Sequence, residues 1–479
     1  MTRSFKHAIS TSLALLVAGS FAPSALASGF QLREQSPSAQ GNAFAGVTAK
    51  GSDISTMFFN PATMTAFEGF QFVLGASSVA PKAELSGASG TRATYSGPLA
   101  PFAPFGGTTI TGPTTHPDAA NDAVLPNLYV MWSVSKDFKL GLSINAPFGL
   151  VTEYQSTFVG RYHALKSDLK TVDVALNAAY RLHPTLSVGA SVIYRKVDAE
   201  LSNAVDFGQI AFLGLAQIGN PAYTNFAPSS VASSFDGKAT IKGDTTVTGF
   251  KLGLTYEPMD TLHLGLSYHG ATKPKVEGTV HYEYPTLAAP LAAALQAVVN
   301  APTAKLIDGT ATAEVELPDT TSLGVSWDVT PSVSLGFEAS RTGWSKFKEL
   351  RVKFGSGQAD SVTDENWRNT MYYSLGANWK VSEALLLRVG VAKDQGAIED
   401  TYRTPRIPDG DRTWLSAGLS YAFSKSFGLD FAYTHITVKD GPLELKAGTY
   451  GNSNFFRGNL SGTFKNSIEI MALAAHFSF

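Results

Sequence analysis

The sequence predicts an all-β protein, a 14-stranded antiparallel transmembrane β-barrel with an N-terminal hatch, or plug, folded inside its lumen. Three observations support this fold class. The chain begins with an export signal and has no later helical span, its apolar residues alternate in fourteen runs, and its connections are alternately short and long. All three are typical of barrels in the outer membrane of Gram-negative bacteria. The predicted organisation is a signal peptide (1–27), a hatch (28–69) and the barrel (70–479).

The first 27 residues have the three parts of a secretory signal. Arg3 and Lys6 give a positive start, the apolar stretch AISTSLALLVAG follows, and residues 25–27 (ALA) form an A-x-A cleavage site. The apolar stretch is shorter than the roughly 20 residues that a membrane-spanning helix needs, which argues against the alternative of an N-terminal anchor. We therefore expect the mature chain to begin at Ser28.

The composition excludes several classes of protein. Charged residues make up 16% of the chain, against about 25% in an average soluble domain. The formal net charge of −2 argues against nucleic-acid binding. The chain has no cysteine, so an exported protein of this kind must be stable without disulfides. Because no long apolar run follows the signal, the composition indicates a membrane barrel rather than a helical membrane protein.

Apolar residues recur at every second position, which is the period of a β-strand with two different faces. In LGLSINA, for example, Leu140, Leu142 and Ile144 share one face, while glycine, serine and asparagine occupy the other. The pattern occurs in fourteen runs, an even number as bacterial barrels require. The runs are centred near Phe70, Leu128, Leu140, Val172, Leu186, Leu252, Leu262, Leu323, Val333, Leu375, Leu387, Leu415, Phe427 and Leu473.

The alternate face of these runs carries a few charges as well as small polar residues. Asp173, Glu338, Arg388 and Asp430 all lie on it. A charge that faces lipid at mid-depth costs roughly 2–4 kcal/mol, so we expect these side chains to point into the lumen. A soluble β-sandwich also alternates, but its outer face would carry far more lysine and glutamate.

The connections between runs alternate in length. Short turns such as SKDF, RLHPT and VSEA follow even-numbered runs, and long inserts follow odd-numbered ones. Short turns on one side and long loops on the other place both termini on the periplasmic side. The last run ends in Phe479, which resembles the terminal signal read by the barrel-assembly machinery of Gram-negative bacteria. A chance aromatic end is the alternative.

The segment 28–69 precedes the first run and is long enough to fill a lumen. A barrel of fourteen strands is wider than the eight-stranded size that side chains fill, so an empty lumen would leak. The segment is rich in small residues and contains a Phe-Phe pair followed by an Asn-Pro turn. We therefore predict a compact hatch, with Gly29, Phe30, Phe58, Phe59, Asn60, Pro61 and Ala62 as its characteristic residues.

The start of the mature chain, SGFQLREQSPSAQGNAFAG followed by FFNPATM, resembles the FadL/TodX family of outer-membrane transporters of long-chain fatty acids and aromatic hydrocarbons. The likeness recurs in TGWSKFKEL (342–350), RIPDGDRTWLSAGLSYAF (406–423) and DGP (440–442). The resemblance implies a fourteen-stranded barrel, a hatch with the Asn-Pro-Ala turn, passive uptake and a monomer. In this membrane the other expected partners are outer-membrane lipid and lipopolysaccharide.

Two of the long inserts are unusually apolar for surface loops. Large exposed apolar patches mark binding sites, and in the family these two loops form a groove. The alternative is that the two segments only pack on each other. The candidate groove residues are Ile210, Phe212, Leu213, Leu215, Leu287, Leu291, Leu295, Val298 and Val299.

The third run contains a proline within the sequence LGLSINAPFGLVTEY. Pro147 has no N–H for the sheet ladder, and Gly149 permits a distortion after it. In the FadL family the third strand bends inward near this place and opens a hole in the wall. We interpret Asn145, Ala146, Pro147, Phe148 and Gly149 as that kink and as a lateral exit. The alternative is that the strand simply ends at Pro147.

The substrate is less directly indicated. Family members that take fatty acids hold the carboxylate with basic side chains, but Leu201 and Thr363 stand where two of these would fall. Arg351, Lys353 or Arg368 could substitute for them. We predict passive uptake of hydrophobic compounds, with long-chain fatty acids as the first hypothesis and neutral, toluene-like hydrocarbons as the alternative.

The sequence gives no sign of an enzyme, a metal site or a cofactor. Its nine histidines are scattered, and none lies in a motif with serine and an acid, as a barrel lipase would require. Zinc needs clustered ligands, which the histidine spacing does not provide. A general porin would need an open lumen, and the hatch and the apolar loops argue against one.

Overall fold

The computed structural model describes residues 29–227 and 232–479, so the predicted signal peptide lies outside the described residues. In this part of the chain, hydrogen-bonded strand segments follow fourteen antiparallel paths across a closed wall. The strands are β1 (Phe70–Thr91), β2 (Ala123–Ser133), β3 (Phe138–Asn145 and Gly149–Glu153), β4 (Lys166–His183), β5 (Leu186–Asp206), β6 (Asp236–Met259), β7 (Leu262–His269 and Lys275–Glu283), β8 (Gly309–Glu314 and Thr320–Thr330), β9 (Val333–Thr342 and Glu349–Phe354), β10 (Ser361–Asp364 and Thr370–Lys380), β11 (Leu385–Asp394), β12 (Arg412–Ala422), β13 (Phe427–Val438 and Gly441–Leu445) and β14 (Asn459–Ser478).

The barrel closes by pairing its first strand with its last. Phe72 of β1 lies opposite Phe477 of β14, and the pairing continues to Thr91 opposite Asn459. Each of the fourteen runs predicted from alternation lies in a different strand, so the predicted strand number is confirmed. The prediction succeeded because a strand with lipid on one side and lumen on the other must alternate along its whole length.

The helices lie in the hatch and in the outer loops. They are α1 (Pro37–Gln40), α2 (Phe207–Gln217) and α3 (Ala289–Val299), and the last two occupy the apolar inserts after β5 and β7. Short 3₁₀ turns span Ile54–Phe58, Pro61–Ala66, Gly97–Phe105, Pro221–Phe226, Ala232–Phe235, Trp344–Lys346 and Asp400–Tyr402. None of the helices in residues 29–227 and 232–479 is long and apolar enough to cross a membrane.

The two faces of the wall differ as alternation requires. Outward-facing Leu176 and Leu415 are 66% and 62% exposed. The four charges predicted to face the lumen, Asp173, Glu338, Arg388 and Asp430, are all buried. They are compensated there: Asp173 accepts two hydrogen bonds of 2.7 Å from Arg195, and Arg388 lies 3.7 Å from Asp430.

The N-terminal segment 29–67 fills the lower lumen, and glycines of the wall make room for it. On ten strands an inward glycine is so close to this segment that an added Cβ would lie 3.0 Å or less from one of its atoms. These residues are Gly75, Gly141, Gly189, Gly253, Gly265, Gly324, Gly336, Gly376, Gly390 and Gly418. The many glycines of the chain therefore serve a packing purpose that their positions in the sequence do not reveal.

Polar side chains of the wall hold the hatch by its backbone. The Lys251 ammonium donates to the carbonyl of Phe58 (2.5 Å), and the Tyr372 hydroxyl donates to the carbonyl of Ala43 (2.7 Å). The amide of Asn60 donates to Leu254 of β6 (3.0 Å). Buried carbonyls of this irregular segment are thereby satisfied by the barrel, as a buried segment without regular structure requires.

Candidate functional site

An outer cavity of about 430 Å³ lies among the long loops. Ile210 and Leu213 of α2 and Val298 of α3 line it, and Phe456 and Arg457 contribute from the loop between β13 and β14. Three of the nine predicted groove residues therefore face this cavity. Its lining is mixed: apolar side chains stand beside polar and charged groups that include Asp206, Asp360 and Arg457.

The other predicted groove residues support the two helices. α2 and α3 pack closely, since a Cβ added at Gly214 would lie 2.7 Å from Val298. The ring of Phe212 packs against Phe102 and Phe105 of the first long loop, with ring centres 5.7 and 5.0 Å away. The same buried or half-buried cluster contains Phe212, Leu215, Leu287, Leu291, Leu295 and Val299.

An inner cavity of about 80 Å³ lies deeper in the barrel, and most of its surface is apolar. Leu201 and Ile241 face it from β5 and β6, and Leu150 faces it from β3. Ile241 also lines the outer cavity, so its side chain stands between the two spaces. The two cavities are therefore neighbours on a line from the outer loops into the lumen.

Phe30 of the hatch closes the inner cavity on the side of the kinked third strand. Its ring centre lies 4.8 Å from Trp344, 5.5 Å from Trp367 and 6.2 Å from Phe148. The preceding Gly29 has a φ of +64°, and a Cβ there would collide with Trp367. The rings of Trp344, Trp367 and Phe148 form a cage around Phe30. This cage and the positive φ of Gly29 position the first described residues of the hatch.

β3 leaves the wall at residues 146–148. Asn145 is paired with Asp173 of β4, and the next pair is Gly149 with Lys170, so β3 carries one extra residue between them. Residues 145–152 are all buried, whereas an ordinary strand of this wall alternates between exposed and buried positions. The segment predicted as the kink is therefore an inward bulge and not the end of the strand.

The hatch supplies the hydrogen bonds that the ladder loses at this bulge. Leu32 donates its N–H to the carbonyl of Pro147 (2.8 Å), and Gly149 donates to the carbonyl of Phe30 (2.9 Å). The side chain of Gln35 both donates to the carbonyl of Ala146 (2.9 Å) and accepts from its N–H (3.1 Å). Sequence reasoning did not identify Gln35, because its partner is 111 residues away.

The bulge leaves a gap beside β2. Pairing between β2 and β3 stops at Leu128 opposite Ile144, and the next contact on that side is the bridge between Ala120 and Thr152. The buried side chain of Asn127 has no hydrogen-bond partner among the described residues, on either its nitrogen or its oxygen. The wall at this point therefore lacks the continuous ladder found on either side of it.

Two arginines from distant loops face the cavities. Arg457 lines the outer cavity and donates to Thr363 (3.3 Å) and to the carbonyl of Val362 (3.1 Å). Arg406 lines the inner cavity beside Leu201 and donates to Ser167 (3.0 Å). They stand next to the two positions where the family pattern would place basic residues.

Neither of these guanidinium groups is neutralised by a neighbouring acid. Within the described ranges, no carboxylate oxygen lies within 4.0 Å of Arg406 or Arg457. Burial lowers the pKa of Arg406 to about 9, with a further contribution from the charge of Arg457. Burial also lowers the pKa of Arg457 to about 10, so both groups remain charged at pH 7.

The other basic candidates do not face the cavities. Arg351 forms ion pairs with Glu349 (2.6 Å) and Asp360 (3.0 Å), and it does not itself line a cavity. Arg368 pairs with Asp411 (3.0 Å) and is half exposed, and Lys353 is exposed. None of these three residues lines either cavity, whereas Arg406 and Arg457 do.

The remaining predicted residues lie in the Asn-Pro-Ala turn of the hatch and at the end of the last strand. Asn60 caps the 3₁₀ turn of Pro61 by accepting from the N–H of Ala62 (3.0 Å), and Phe59 packs beside Phe58 with ring centres 5.0 Å apart. Phe479 is 76% exposed, and its backbone bonds to Phe70 in both directions. Among the described residues, no cluster of three or more metal-ligating side chains is found.

Comparison with known sequences places this geometry in context. A family model described as "Outer membrane protein transport protein (OMPP1/FadL/TodX)" matches residues 18–479. A putative outer membrane protein of Neisseria meningitidis is 28% identical over 474 residues, which cover 97% of this chain and 98% of the relative. A long-chain fatty acid transport protein of Escherichia coli O6:H1 is 27% identical over 472 residues, covering 96% and 98%.

Solved structures show the same architecture. The crystal structure of a Pseudomonas aeruginosa FadL homologue superimposes with a TM-score of 0.80 at 24% identity, over 94% of this chain and 100% of the homologue. The Pseudomonas putida toluene transporter TodX superimposes with a TM-score of 0.63 at 17% identity, over 94% of this chain and 99% of the transporter. At these identities the likeness establishes the fold.

Proposed function

Because the chain belongs to the OMPP1/FadL/TodX family of outer-membrane transport proteins, we propose that it carries long-chain fatty acids and releases them sideways through the barrel wall. Membership makes it a transporter of hydrophobic compounds in the outer membrane, and not an enzyme. The proposal concerns the chemical class of the cargo and the route that the cargo takes.

The observation that supports an acidic cargo is the pair of arginines that line the two cavities without forming an ion pair. Arg457 faces the outer cavity, and Arg406 faces the inner one. A charged group without a counter-ion in a largely buried site is costly, and a ligand carboxylate would relieve that cost. A carboxylate bound in this way gains charge-assisted hydrogen bonds, while its alkyl chain occupies the apolar lining. A neutral hydrocarbon would leave both cations unpaired.

The bulge in β3 supports a lateral exit. Leu150, which lines the inner cavity, follows directly after the bulge, and the gap beside β2 adjoins it. Below the cavity, the hatch is tightly seated against glycines of ten strands, so an axial route would require it to move as a whole. Lateral release also keeps the chain out of water, where exposure costs about 0.8 kcal/mol per methylene.

Glu365 provides a way to test the electrostatic part of this proposal. Its carboxylate also lines the inner cavity, where it accepts a hydrogen bond of 2.7 Å from the indole of Trp367. Burial raises the pKa of Glu365 to about 8, so the group is mainly neutral at pH 7 and repels a second carboxylate only above about pH 8. Glu365→Gln keeps an acceptor for the indole and removes the negative charge.

The experiment is a binding competition between a long-chain fatty acid and toluene in purified full-length protein. Arg406→Met keeps much of the side-chain volume and removes the charge. We expect it to weaken fatty-acid binding about ten- to a hundredfold, the range for loss of a charged hydrogen bond, and to leave toluene binding within about twofold. Glu365→Gln should change fatty-acid binding little at pH 7 and tighten it above about pH 8, where the wild-type carboxyl is ionised.

The control is Arg351→Met, which removes an arginine that is already paired with two carboxylates and lines neither cavity. It should leave the binding of both ligands unchanged. If the wild type binds toluene but not the fatty acid, or if Arg406→Met weakens both ligands equally, the acidic cargo is excluded and the hydrocarbon hypothesis takes its place.

A further inference from the structure

We propose that a patch of cations on the outside of β9–β13 binds the phosphates of the outer-leaflet glycolipid, lipopolysaccharide. The patch comprises Arg341, Arg368, Lys393 and Lys439, and all four side chains are exposed. This inference rests on the outer-membrane location and does not depend on which compound is transported.

The position of Lys393 fixes the height of the patch. Lys393 lies beside Tyr373 of β10 and Thr413 of β12. The next outward row toward the periplasm is fully apolar and exposed, and consists of Leu375, Val391 and Leu415. The cations therefore stand directly above the band that faces acyl chains, at the level where the phosphorylated sugars of a glycolipid lie.

Few acids oppose these cations. The Lys393 ammonium donates to the Thr413 hydroxyl (2.6 Å), and in the described part of the chain no carboxylate lies within 4.0 Å of Lys393 or Lys439. Arg368 is paired with Asp411 (3.0 Å), whereas Arg341 lies 3.9 Å from its nearest acid, Asp319. The patch therefore has donors available for a doubly charged anion.

The outward lysines on the opposite face of the barrel differ from those of the patch, because they have acidic neighbours. On β4–β7 the outward lysines at the same end of the strands each have an acid close by. Lys170 lies 3.1 Å from Asp168, and Lys196 lies 3.1 Å from Asp198. These pairs are internally neutral, so this face has no surplus charge to offer to a phosphate.

The chemistry selects a phosphorylated lipid over a free anion. Exposed lysine and arginine side chains attract phosphate electrostatically, and each cation near a charged lipid surface contributes on the order of 1 kcal/mol. The apolar row beneath supplies contact for acyl chains, which inorganic phosphate lacks. A bisphosphorylated, acylated glucosamine disaccharide satisfies both parts of the surface.

The test uses the full-length protein in detergent with purified bisphosphorylated lipid A, and native mass spectrometry counts the bound glycolipid. The double variant K393Q/K439Q should lower the apparent affinity about tenfold or more, as loss of two cations predicts. The matched variant K196Q/K275Q removes two paired lysines from the opposite face and should bind as the wild type does. Lipid A without its phosphates should bind the wild type as weakly as the phosphorylated form binds K393Q/K439Q.

Three results would overturn the proposal. Equal losses in the two double variants would mean that the patch has no special role. Equal binding of the dephosphorylated lipid would show that acyl contacts alone hold it. Displacement of the lipid by millimolar inorganic phosphate would indicate a simple anion site. Fatty-acid binding by K393Q/K439Q should stay normal, which separates this test from that of the transport proposal.

Discussion

Two of the interruptions in the barrel wall lie beside Phe30 of the hatch, and only one of these two leaves a gap. In β3, residues 146–148 turn inward. Ala146 and Pro147 bond to Gln35 and Leu32 of the hatch, whereas Phe148 stays bonded to Thr171 of β4. The facing part of β2 keeps its bonds to β1 and gains none from β3. At this point β3 is bonded to the hatch on the side where it would otherwise be bonded to β2.

The interruption shared by β9 and β10 is closed by its own residues. Trp367 donates its N–H to Phe347 (3.2 Å), and both Glu365 and Asn366 donate to the carbonyl of Lys348 (2.9 Å each). The buried rings of Trp344, Trp367 and Phe347 fill the space behind these bonds. The wall here is irregular but continuous.

The difference teaches that an irregular strand becomes an opening only when its hydrogen bonds go elsewhere. Both regions contribute rings to the cage around Phe30, so they meet at the same point of the lumen. In one region the backbone remains paired across the wall, and in the other the hatch takes over the pairing. The position of the exit is therefore decided by the hatch as much as by the proline in β3.

Deletion of Pro147 should have the largest effect. Three residues of β3 lie between Asn145 and Gly149, opposite two residues of β4, so removing one restores an even register. The straightened strand would close the gap beside β2. We expect uptake of a radiolabelled fatty acid to fall at least about tenfold, while binding stays within about twofold.

The matched control for this deletion is Pro147→Ala, which keeps the extra residue and so keeps the bulge. It should retain most of the uptake. Wild-type uptake by the deletion variant, with correct assembly verified by heat-modifiable mobility, would mean that the cargo leaves along the barrel axis.

Gln35→Leu should have a smaller effect. It leaves the N–H and the carbonyl of Ala146 without partners, at about 1–3 kcal/mol for each buried group. The bulge would then relax, and we expect uptake to fall roughly three- to tenfold with faster hydrogen exchange at Ala146. Gln31→Leu is the control, since Gln31 pairs with Phe148 only through its backbone, which the change keeps, while its side chain bonds to Thr320 and Thr342. Equal effects of the two variants would refute a specific role for Gln35.

Asn369→Ala should have the smallest effect. Its side chain accepts from the N–H of Ser345 (3.0 Å) across the interruption of β9 and β10. The backbone bonds of that region remain, so we expect uptake within about twofold of the wild type and no new ion conductance in planar bilayers. Steady conductance after this change would show that the second interruption is also close to opening.

The fold was predictable because its signal is local and repeated. Each strand alternates on its own, so Leu140 or Leu415 can be assigned to the lipid side without knowing any neighbour. The residues that line the cavities were harder to predict. Phe212 and Leu213 are adjacent apolar residues of one helix, yet one packs against aromatic rings of another loop and the other lines the outer cavity.

The candidate carboxylate-binding residues were hard to predict for the same reason. Arg351 and Lys353 are close in sequence to the family position at Thr363 but line neither cavity, whereas Arg457 reaches that place from a loop almost a hundred residues later. A sequence read in order cannot show which distant loop supplies a charge, because loops are positioned by the barrel and not by their neighbours in the chain.

The sequence by itself determined the number of strands, the face that each residue presents and the proline that forbids a regular third strand. These follow from a two-residue period and from the missing N–H of Pro147, which act over a few residues. Only the tertiary structure decided that ten glycines receive the hatch, that Gln35 holds the bulge and that Arg406 meets the inner cavity. Those contacts join residues far apart in the chain, and closure of the barrel brings them together.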